Sequence, residues 1–592
     1  MDRGLHQQTM ETRLPGRSGS LQTLTRMACL ALCLATLTTP VFSQAILEGE
    51  RFHPASAHNG MVATSHTLAT EVALKVLKDG GNAVDAAVTA GFALAVTQPR
   101  SGNIGGGGFM LISKGDGSAP EAIDYREKAP SAATETMYQD ESGNVIQNRS
   151  RFTHLAAGVP GTVAGLAMAL ERHGTLSLKQ ALAPAIELAR EGFIVPQRFS
   201  EGLEQARERL QRWPATQATF YKKDGSAWKA GERFRQPELA TTLQRIADEG
   251  VKGFYQGETA QLIVEEMERH GGLITRQDLI DYQPIVRAPV HGNYRGYDIY
   301  SMSPPSSGGA HIVQILNILE GFPIRELGHN SADTIHYMAE AMKLAYADRS
   351  EYLGDTDYVD VPLKGLTSKP YAEQLRQGIK QDKARPASDI RPGQPPGYES
   401  PETTHFSVVD KWGNAVSNTY TINFSYGSGI TVEGAGFLLN NEMDDFSAKP
   451  GVPNAYGLIG GEANKVEPGK RMLSSMSPTI VRKDNRNFLV TGSPGGSRII
   501  TTTLQVIMNV IDHDMNIQTA VNAPRIHHQW LPDQIRIEQG VSTDTVRLLE
   551  GRGHKVVTNS AMGAIQSIMI GEDGTLYGGA DPRRSTSSAM GY

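Results

Sequence analysis

The segment SPETTHFSVVDKWGNAVSNTYT, from Ser400 to Thr421, constrains the fold of this chain most, because it opens an alternating strand directly after a loop rich in proline and glycine. Apolar Phe406 and Val408 alternate with polar neighbours, and a turn at 410–414 precedes a second alternating run that ends at Thr421. Alternation with a period of two on both sides of a turn predicts a β-hairpin.

The loop before this hairpin contains three prolines and two glycines between Asp389 and Tyr398. Such a run predicts exposed, irregular chain in which cleavage of the backbone is tolerated. A cut between Glu402 and Thr403 would give Thr403 a free α-amine, and an amine with a pKa of about 8 is a base for the hydroxyl of the same residue. The alternative is that the threonines are ordinary strand residues, since threonine is common in strands.

The composition predicts a globular protein, with 592 residues, 39% hydrophobic residues and 62 glycines, enough for two domains or one large layered domain. An apolar block follows Arg26, is too short to span a bilayer and ends in small residues, so we interpret residues 1–43 as a secretory signal removed near Ser43. An amino-terminal membrane anchor is the alternative. The signal interpretation predicts a secreted, periplasmic protein without a stable membrane span.

Removal of residues 1–43 also removes Cys29 and Cys33, which are the two cysteines of the chain. The mature protein is therefore expected to form no disulfide and no thiolate metal site. The net charge of −6 argues against nucleic acid or an anionic membrane as a partner.

Periodicity divides the chain into a helix-rich part and a strand-rich part. Helical patterns are predicted at residues 67–78, 84–95, 178–190, 237–249, 259–269 and 332–349, and strand patterns cluster at 108–113 and in the final third. Residues 354–402 lose this periodicity and gain proline, which is typical of a linker. We therefore place a boundary between a helix-rich segment 44–402 and a strand-rich segment 403–592.

Two glycine-rich loops raise the question of an anion site. The first, SGNIGGGGFMLI from Ser101 to Ile112, runs into a strand and lacks a following Gly-Lys-Ser/Thr, so a close backbone approach in a packed core is the better interpretation. The second, from Leu489 to Thr503, contains Gly495 and Gly496 between a strand and an apolar helical run. Glycines there allow successive N–H groups to point at one spot, as in an oxyanion hole, although a structural turn explains them nearly as well.

Six segments together resemble the γ-glutamyltransferases (γ-glutamyltranspeptidases, glutathione hydrolases), which are amino-terminal nucleophile (Ntn) hydrolases. These segments run from about Gly80 to Arg498 and are GGNAVDAAVTAGFALAVTQPRSGNIGGGGFM, DYREKAPSAAT, TTHFSVVDKWGNAVSNTYTIN, GFLLNNEMDDFS, PGKRMLSSMSPTIV and GSPGGSRI. The resemblance implies an α+β fold, a four-layer αββα sandwich made of two chains from one precursor. The large subunit (44–402) and the small subunit (403–592) would remain one heterodimer, and no cofactor is called for.

The resemblance also implies catalytic roles for individual residues. Thr403 would attack the carbonyl of Glu402 during self-cleavage and would then serve as the nucleophile of catalysis, with Thr421 hydrogen-bonded to it. The amides of Gly495 and Gly496 would stabilise the oxyanion. His405 is not expected to act as a base, because we expect it to point to the opposite face of the strand.

A zwitterionic amino-acid group is the ligand that the remaining site residues would recognise. The resemblance implies that Arg126 holds an α-carboxylate with help from Ser474 and Ser475, and that Glu442 and Asp445, with Asn423, hold the α-ammonium. On the residues alone, Arg126 is also compatible with a surface charge pair, and EMDD with an acidic turn or a calcium cluster. No metal site is expected, at the pair His527–His528 or elsewhere.

The implied reaction transfers the γ-glutamyl group of glutathione, or of a related compound, through a Thr403 ester to water, an amino acid or a dipeptide. Tyr456, in the segment 449–471, would close a lid over the pocket and exclude water. Three alternatives stay open: a cephalosporin or glutaryl acylase, a γ-polyglutamate hydrolase, and a silent binding protein that is not cleaved.

Overall fold

The computed structural model of the chain describes residues 52–391, 403–449 and 461–592. The predicted signal segment, Glu402 and the predicted lid residue Tyr456 lie outside the described residues. Within these three ranges, none of the helices has both the length and the apolar character needed to cross a bilayer.

The strands of the described residues carry numbers in chain order. They are β1 (Ala55–Ala57), β2 (Met61–Thr64), β3 (Gly107–Ser113), β4 (Glu121–Tyr125), β5 (Phe193–Ile194), β6 (Arg233–Phe234), β7 (Ile285–Arg287), β8 (Val290–Tyr294), β9 (Tyr297–Ser301), β10 (Thr404–Val409), β11 (Ala415–Thr421), β12 (Thr479–Lys483), β13 (Arg486–Thr491), β14 (Ile526–His527), β15 (Ile535–Ile537), β16 (Val556–Thr558), β17 (Gln566–Ile570), β18 (Leu576–Ala580) and β19 (Ser588–Gly591).

The helices of the same residues are numbered in the same way. They are α1 (Thr67–Lys78), α2 (Ala83–Thr97), α3 (Thr162–His173), α4 (Leu178–Glu191), α5 (Gln197–Leu210), α6 (Pro214–Phe220), α7 (Pro237–Glu249), α8 (Lys252–Tyr255), α9 (Gly257–His270), α10 (Arg276–Ile280), α11 (Gly308–Leu319), α12 (Ile324–Leu327), α13 (Ala332–Tyr352), α14 (Leu363–Leu366), α15 (Lys369–Arg376), α16 (Arg498–Ile511), α17 (Ile517–Asn522) and α18 (Thr543–Gly551). Short 3₁₀ turns form at His154–Ala156, Ala387–Asp389, Glu442–Asp445 and Glu462–Asn464.

Two seven-stranded sheets form the centre of the molecule. The first has the order β1-β18-β17-β13-β12-β9-β8, and the second has the order β19-β2-β10-β11-β3-β4-β7. All strand pairs within these two sheets are antiparallel. Segments from before and after Thr403 alternate in both sheets, so the two parts of the chain are not separate domains.

Three apolar cores separate four layers. Residues such as Phe109 and Val490 pack between the two sheets, Phe92 and Phe406 belong to the core between the second sheet and its helices, and a third core joins the first sheet to α11, α13 and α16. Each sheet therefore carries helices on one face and the other sheet on its second face. This arrangement is the predicted αββα sandwich.

The strongly patterned helices form where the sequence predicts them. Helix α1 spans the predicted range, and α2 begins with a capping box in which the side chains of Asn82 and Asp85 bond to each other's backbone N–H. The prediction that residues 354–402 lack regular structure is wrong in part, because α14 and α15 form there. Ser368 caps α15 by accepting a hydrogen bond from the N–H of Tyr371 (3.3 Å), a short local signal without hydrophobic periodicity.

The first glycine-rich loop is a place of close backbone approach, as the sequence predicts. A Cβ atom on Gly106 would lie 2.0 Å from the carbonyl oxygen of Thr421, and one on Gly108 would lie 2.5 Å from that of Thr419. Only glycine allows this loop to approach β11 so closely. The loop therefore fixes the position of the strand end that carries Thr421.

Buried histidines predict that acid destabilises the protein. His554 lies 2.8 Å from His336 through ring nitrogens, and burial, together with the nearby Lys343 ammonium, lowers the pKa of His554 to about 2. An unfolded histidine titrates near pH 6.5. The stabilising contribution of neutral His554 is therefore complete above pH 6.5 and is lost as the pH falls toward the folded-state pKa, by about 1.4 kcal/mol per pH unit.

The measurement is urea unfolding at pH 6.5, 5.5 and 4.5 for the wild type and for His554→Gln. We expect the wild type to lose stability relative to the variant as the pH falls, and an exposed-site variant, His291→Gln, to follow the wild type. Equal pH slopes for the wild type and His554→Gln would contradict the assignment.

Candidate active site

The predicted hairpin positions the candidate nucleophile. Strands β10 and β11 pair in a register that joins Thr404 to Tyr420, and continuing this register by one residue places Thr403 opposite Thr421. Thr403 is 5% exposed. Thr403 and Thr421 therefore lie opposite each other at the end of a buried strand pair.

A small cavity of about 30 Å³ brings the predicted site residues together. It lies where the end of the hairpin meets the segments after β4, before β12 and before α16. Its lining residues are Arg126, Thr403, Thr421, Asn423, Glu442, Asp445, Ser474, Ser475, Met476, Gly496 and Ile499. Gly495 precedes Gly496 in the loop but does not itself line this cavity.

Arg126 is the positive group of the cavity. It follows β4 directly and is 1% exposed, and its Nε donates to the carbonyl of Met472 (3.3 Å). One terminal nitrogen bonds to Glu442 and the other lies 2.5 Å from Oδ2 of Asp445. The sequence predicted the arginine and the two acids on opposite sides of a ligand, whereas here they contact each other directly.

The two acids pair with Arg126 at a cost in desolvation. Burial raises the pKa of Glu442 well above its ordinary value, and a neighbouring carboxylate, Glu127, raises it further against the effect of Arg126. Burial also raises the pKa of Asp445, which Arg126 opposes. Burial disfavours the charge of Arg126 itself, but Glu442 and Asp445 raise its pKa above the ordinary value. Burial thus favours the neutral forms of the carboxyl groups, while the Arg126 guanidinium favours their charged forms.

The third acid of the EMDD turn points elsewhere. Oδ1 of Asp444 accepts a hydrogen bond from the Ser150 hydroxyl (2.5 Å) and lies 3.4 Å from Nε of Arg151. Among the described residues, no cluster that could hold a metal ion includes this turn. The geometry therefore does not support the calcium interpretation of the EMDD motif.

Asn423 shapes the wall of the cavity next to Thr421. It adopts a left-handed backbone conformation with φ of 70°, which asparagine tolerates better than most residues. Its N–H donates to Oγ1 of Thr421 (2.8 Å), and its Nδ2 donates to the carbonyl of Asn441 (2.9 Å). These bonds tie the end of β11 to the turn that carries Glu442.

The second glycine-rich loop supplies candidate oxyanion donors. Gly495 and Gly496 have φ of 139° and 60°, and they lie between β13 and the beginning of α16 at Arg498. Within the described part of the chain, their N–H groups form no hydrogen bond, while their carbonyls accept from the N–H groups of Arg498 and Ile499. Unpaired N–H groups near a helix N-terminus suit a developing negative charge.

His405 was expected to point to the face of the strand opposite Thr403. This expectation was wrong, because the two residues are two positions apart and lie on the same face. Residues two positions apart in a strand share a face, and His405 shares the face of Ser407 between the two sheets. Its ring nitrogens bond to the hydroxyls of Thr419 (2.8 Å) and Ser407 (3.1 Å), and burial lowers its pKa to about 3. His405 is therefore neutral and hydrogen-bonded within the core.

Comparison with known proteins identifies the family. A family profile described as gamma-glutamyltranspeptidase matches residues 69–591. The chain belongs to the gamma-glutamyltranspeptidase family. It is similar to the glutathione hydrolase proenzyme of Escherichia coli (strain K12), with 54% identity over 547 residues that cover 92% of this chain and 94% of that protein. The Acylase ACY 1 proenzyme of Pseudomonas sp. (strain SE83) is 39% identical and covers 89% of this chain and 92% of its own length.

Solved structures agree with this membership and with the fold. The cephalosporin acylase from Bacillus halodurans superposes with a TM-score of 0.83 at 30% identity, over 93% of this chain and 99% of that chain. A Helicobacter pylori gamma-glutamyltranspeptidase chain superposes with a TM-score of 0.55 at 47% identity, over 59% of this chain and 97% of that chain. This member of the gamma-glutamyltranspeptidase family therefore has the αββα sandwich of the Ntn hydrolases.

Two charged residues beside the cavity, Arg349 and Glu127, were not predicted from the sequence. Arg349, on α13, donates from Nη2 to Oγ of Ser475 (3.0 Å) and from Nε to Oγ of Ser307 (2.9 Å). Glu127 lies 3.6 Å from Arg126, and burial raises its pKa to about 8. The sequence did not distinguish Arg349, because its helix carries several other charged residues, such as Lys343 and Asp348, whereas Glu127 stands within the motif DYREKAP.

Proposed function

We propose that the chain cleaves itself between Glu402 and Thr403 and then transfers γ-glutamyl groups from glutathione or a related compound to water, an amino acid or a dipeptide. The observation that carries this proposal is the shared cavity, in which Thr403 lies with Arg126, Glu442 and Asp445. A nucleophile beside an amino-acid-binding charge cluster fits a substrate whose scissile amide is on a glutamate side chain.

The paired charges of the cavity suit exchange with a zwitterion. An incoming α-carboxylate takes the place of Glu442 or Asp445 on the guanidinium of Arg126, and the incoming α-ammonium takes the place of the guanidinium on the acids. Every charge keeps an opposite partner throughout this exchange, which limits the desolvation cost of binding. The hydroxyls of Ser474 and Ser475 are the further donors proposed for the carboxylate, and Asn423 assists at the ammonium end.

The chemistry proceeds in two balanced stages. Oγ1 of Thr403 attacks the γ-carbonyl carbon, its proton passes to the Thr403 α-amine, and the collapsing intermediate expels the donor amine, which takes that proton. An ester between Thr403 and the γ-glutamyl group remains. Water or an acceptor amine then attacks the ester and restores the hydroxyl. In each stage the N–H groups of Gly495 and Gly496 are proposed to bind the oxyanion.

Self-cleavage produces the base that this cycle needs. Before the cut, the nitrogen of Thr403 belongs to a peptide bond and cannot accept a proton. During the cut, Oγ1 of Thr403 attacks the carbonyl of Glu402, the acyl group moves from nitrogen to oxygen, and water hydrolyses the ester. The proposed products are a large subunit, 44–402, and a small subunit, 403–592, held as one heterodimer by the sheets that both contribute to.

Localisation and the lid complete the proposal. Residues 1–43 have the sequence pattern of a secretory signal, so we propose export to the periplasm. The proposed lid segment is 449–471, and the hydroxyl of Ser447, just before it, donates a hydrogen bond of 3.2 Å to the carbonyl of Gly461 within it. Closure by Tyr456 stays a prediction.

Donor selectivity separates the γ-glutamyl reaction from the acylase alternative. A glutaryl group lacks the α-ammonium that Glu442 and Asp445 are proposed to bind, and leaving buried acids without their new partner costs about 2 kcal/mol or more. We therefore expect kcat/KM for a γ-glutamyl anilide to exceed that for the matched glutaryl anilide by at least about 30-fold. A preference for the glutaryl anilide would favour the acylase.

The test of the proposed function is intact mass spectrometry of the purified protein followed by assay with a γ-glutamyl anilide. Two fragments, the smaller beginning at Thr403, with release of the aniline would support it. A single uncut chain that binds γ-glutamyl compounds without turnover would instead favour the silent binding protein.

The hydroxyl of Thr421 provides a narrower test of the site. Thr421→Ala removes a hydroxyl placed opposite the nucleophile, and we expect both self-cleavage and kcat to fall by about 10- to 100-fold without unfolding. Thr421→Ser keeps the hydroxyl and is the matched control. The measurements are the time course of cleavage by mass spectrometry, kcat for the anilide, and Tm. Wild-type cleavage in Thr421→Ala would remove Thr421 from the mechanism.

A further inference from the structure

A second cluster of polar side chains, away from the catalytic cavity, contains two histidines and a glutamate. His154 belongs to the 3₁₀ turn His154–Ala156, and Glu266 and His270 lie one helical turn apart on α9. Their ligand atoms all lie within 4.8 Å of one another. Nε2 of His154 is 2.8 Å from Oε1 of Glu266, and Nε2 of His270 is 3.7 Å from the same oxygen.

These distances are close to those of a metal centre. Bonds of about 2.0–2.1 Å to imidazole nitrogen and carboxylate oxygen place tetrahedral ligands about 3.3 Å apart, between the two distances seen here. The spacing of Glu266 and His270, four residues apart on one helix face, is a common way to present two metal ligands. The rings of His154 and His270 stack with centroids 4.6 Å apart and an interplanar angle of 18°, so their side chains must rotate for both nitrogens to face one ion.

The surroundings hold these ligands in place and leave one side open. Trp213 packs edge-on against the rings of His154 (5.0 Å) and His270 (5.7 Å), and Arg269 lies 3.4 Å from the second carboxylate oxygen of Glu266. The His270 side chain is 42% exposed, so an ion and a water ligand can enter from solvent. His270 ends α9, where the helix dipole favours a cation.

We propose that His154, Glu266 and His270 bind a divalent transition-metal ion of the zinc class, with water as the fourth ligand. Imidazole and carboxylate are ligands that this class accepts, whereas Ca²⁺ and Mg²⁺ prefer oxygen alone. The site joins α9 to the segment 150–156. That segment carries Ser150, which bonds to Asp444 beside the substrate cluster, so the ion has a structural role behind the pocket.

The second histidine cluster of the described residues is a poorer candidate. His336, Glu340 and His554 also lie within reach of one another, but all three are buried. The buried ammonium of Lys343 is 2.6 Å from Glu340, closer than the part-exposed Arg269 is to Glu266 (3.4 Å). An ion would have to displace this lysine without a route from solvent, so the open cluster on α9 is the one proposed.

The experiment uses the full-length protein without a histidine tag, stripped with EDTA and titrated with Co²⁺. Four- or five-coordinate Co²⁺ gives strong visible absorption, whereas hexa-aqua Co²⁺ absorbs weakly. We expect one equivalent to produce this absorption, Zn²⁺ to displace it, and His270→Ala to weaken Co²⁺ binding at least about tenfold. Wild-type anilide turnover of His270→Ala would show that the variant is folded.

The matched control is His291→Ala. His291 is also exposed, lies 2.9 Å from a carboxylate, Asp298, and stacks on an aromatic ring, but the described residues offer it no third ligand. This variant should bind Co²⁺ as the wild type does. Absence of the absorption in the wild type, or an unchanged titration in His270→Ala, would overturn the proposal.

Discussion

Replacing Thr403 with alanine is expected to leave a single uncut chain whose γ-glutamyl anilide hydrolysis falls by at least about 10³-fold. The substitution removes the hydroxyl proposed to attack Glu402 and, later, the substrate. Removal of Oγ1 abolishes self-cleavage and the nucleophile of hydrolysis together. Without cleavage, the α-amine base is not formed either. The effect is therefore larger than the loss of a single hydrogen bond in the cavity.

The measurement combines intact mass spectrometry with the anilide assay and Tm. Thr403→Ser is the control that keeps a hydroxyl, and it should still yield two fragments at a reduced rate. A neighbouring variant, Thr404→Val, removes a hydroxyl that bonds to Ser65 (2.6 Å) and should leave cleavage in place. If Thr403→Ala were cleaved at the wild-type rate, or if its folded chain retained wild-type turnover, Thr403 would not be the nucleophile.

Replacing Arg126 with lysine is expected to raise KM for the γ-glutamyl anilide by about 100-fold with a smaller change in kcat. Lysine keeps the positive charge but cannot bond to two acids and two backbone carbonyls at once, as the guanidinium does. Loss of a charge-assisted hydrogen bond amounts to about 1.5–3 kcal/mol. The binding of an α-carboxylate, rather than the chemical step, should carry most of this effect.

The matched control for this variant is Arg287→Lys. Arg287 is also a largely buried arginine in ion pairs, with Asp124 and Asp357 (both 2.7 Å), but it does not line the cavity. Steady-state kinetics and Tm of both variants separate substrate binding from general destabilisation. An unchanged KM in Arg126→Lys, or an equal rise in Arg287→Lys, would refute the assignment of Arg126 to the substrate carboxylate.

The elements with strong local signals could be predicted from the sequence. The hairpin that positions Thr403 follows from its alternation and its turn, and α1 follows from its periodicity and the glycines after it. The helices α14 and α15 were missed because they are short and lie in a proline-rich stretch, where capping by Ser368 is the main local signal. Periodicity identifies long elements because several turns must agree.

The composition of the cavity was predictable through the family motifs, but its internal pairing was not. Arg126 and Glu442 are 316 residues apart and meet only after the sheets have packed. The residues around Arg126 and around Glu442 are compatible with two arrangements, in which the side chains either face each other across a ligand or form a direct ion pair. The contact of Arg349 with Ser475 could not be predicted for the same reason, because it depends on how α13 packs beside the loop before β12.

Both sheets contain strands from both segments, and this arrangement requires that folding precede cleavage. Strands β10, β11 and β19 are interleaved with β2, β3, β4 and β7, so neither segment can complete a sheet alone. Folding of the precursor is a first-order process, whereas recovery of the unfolded, processed enzyme requires two polypeptides to meet and therefore depends on their concentration. After cleavage, an unfolded molecule can therefore refold only if its two polypeptides meet again, and dilution makes this slower.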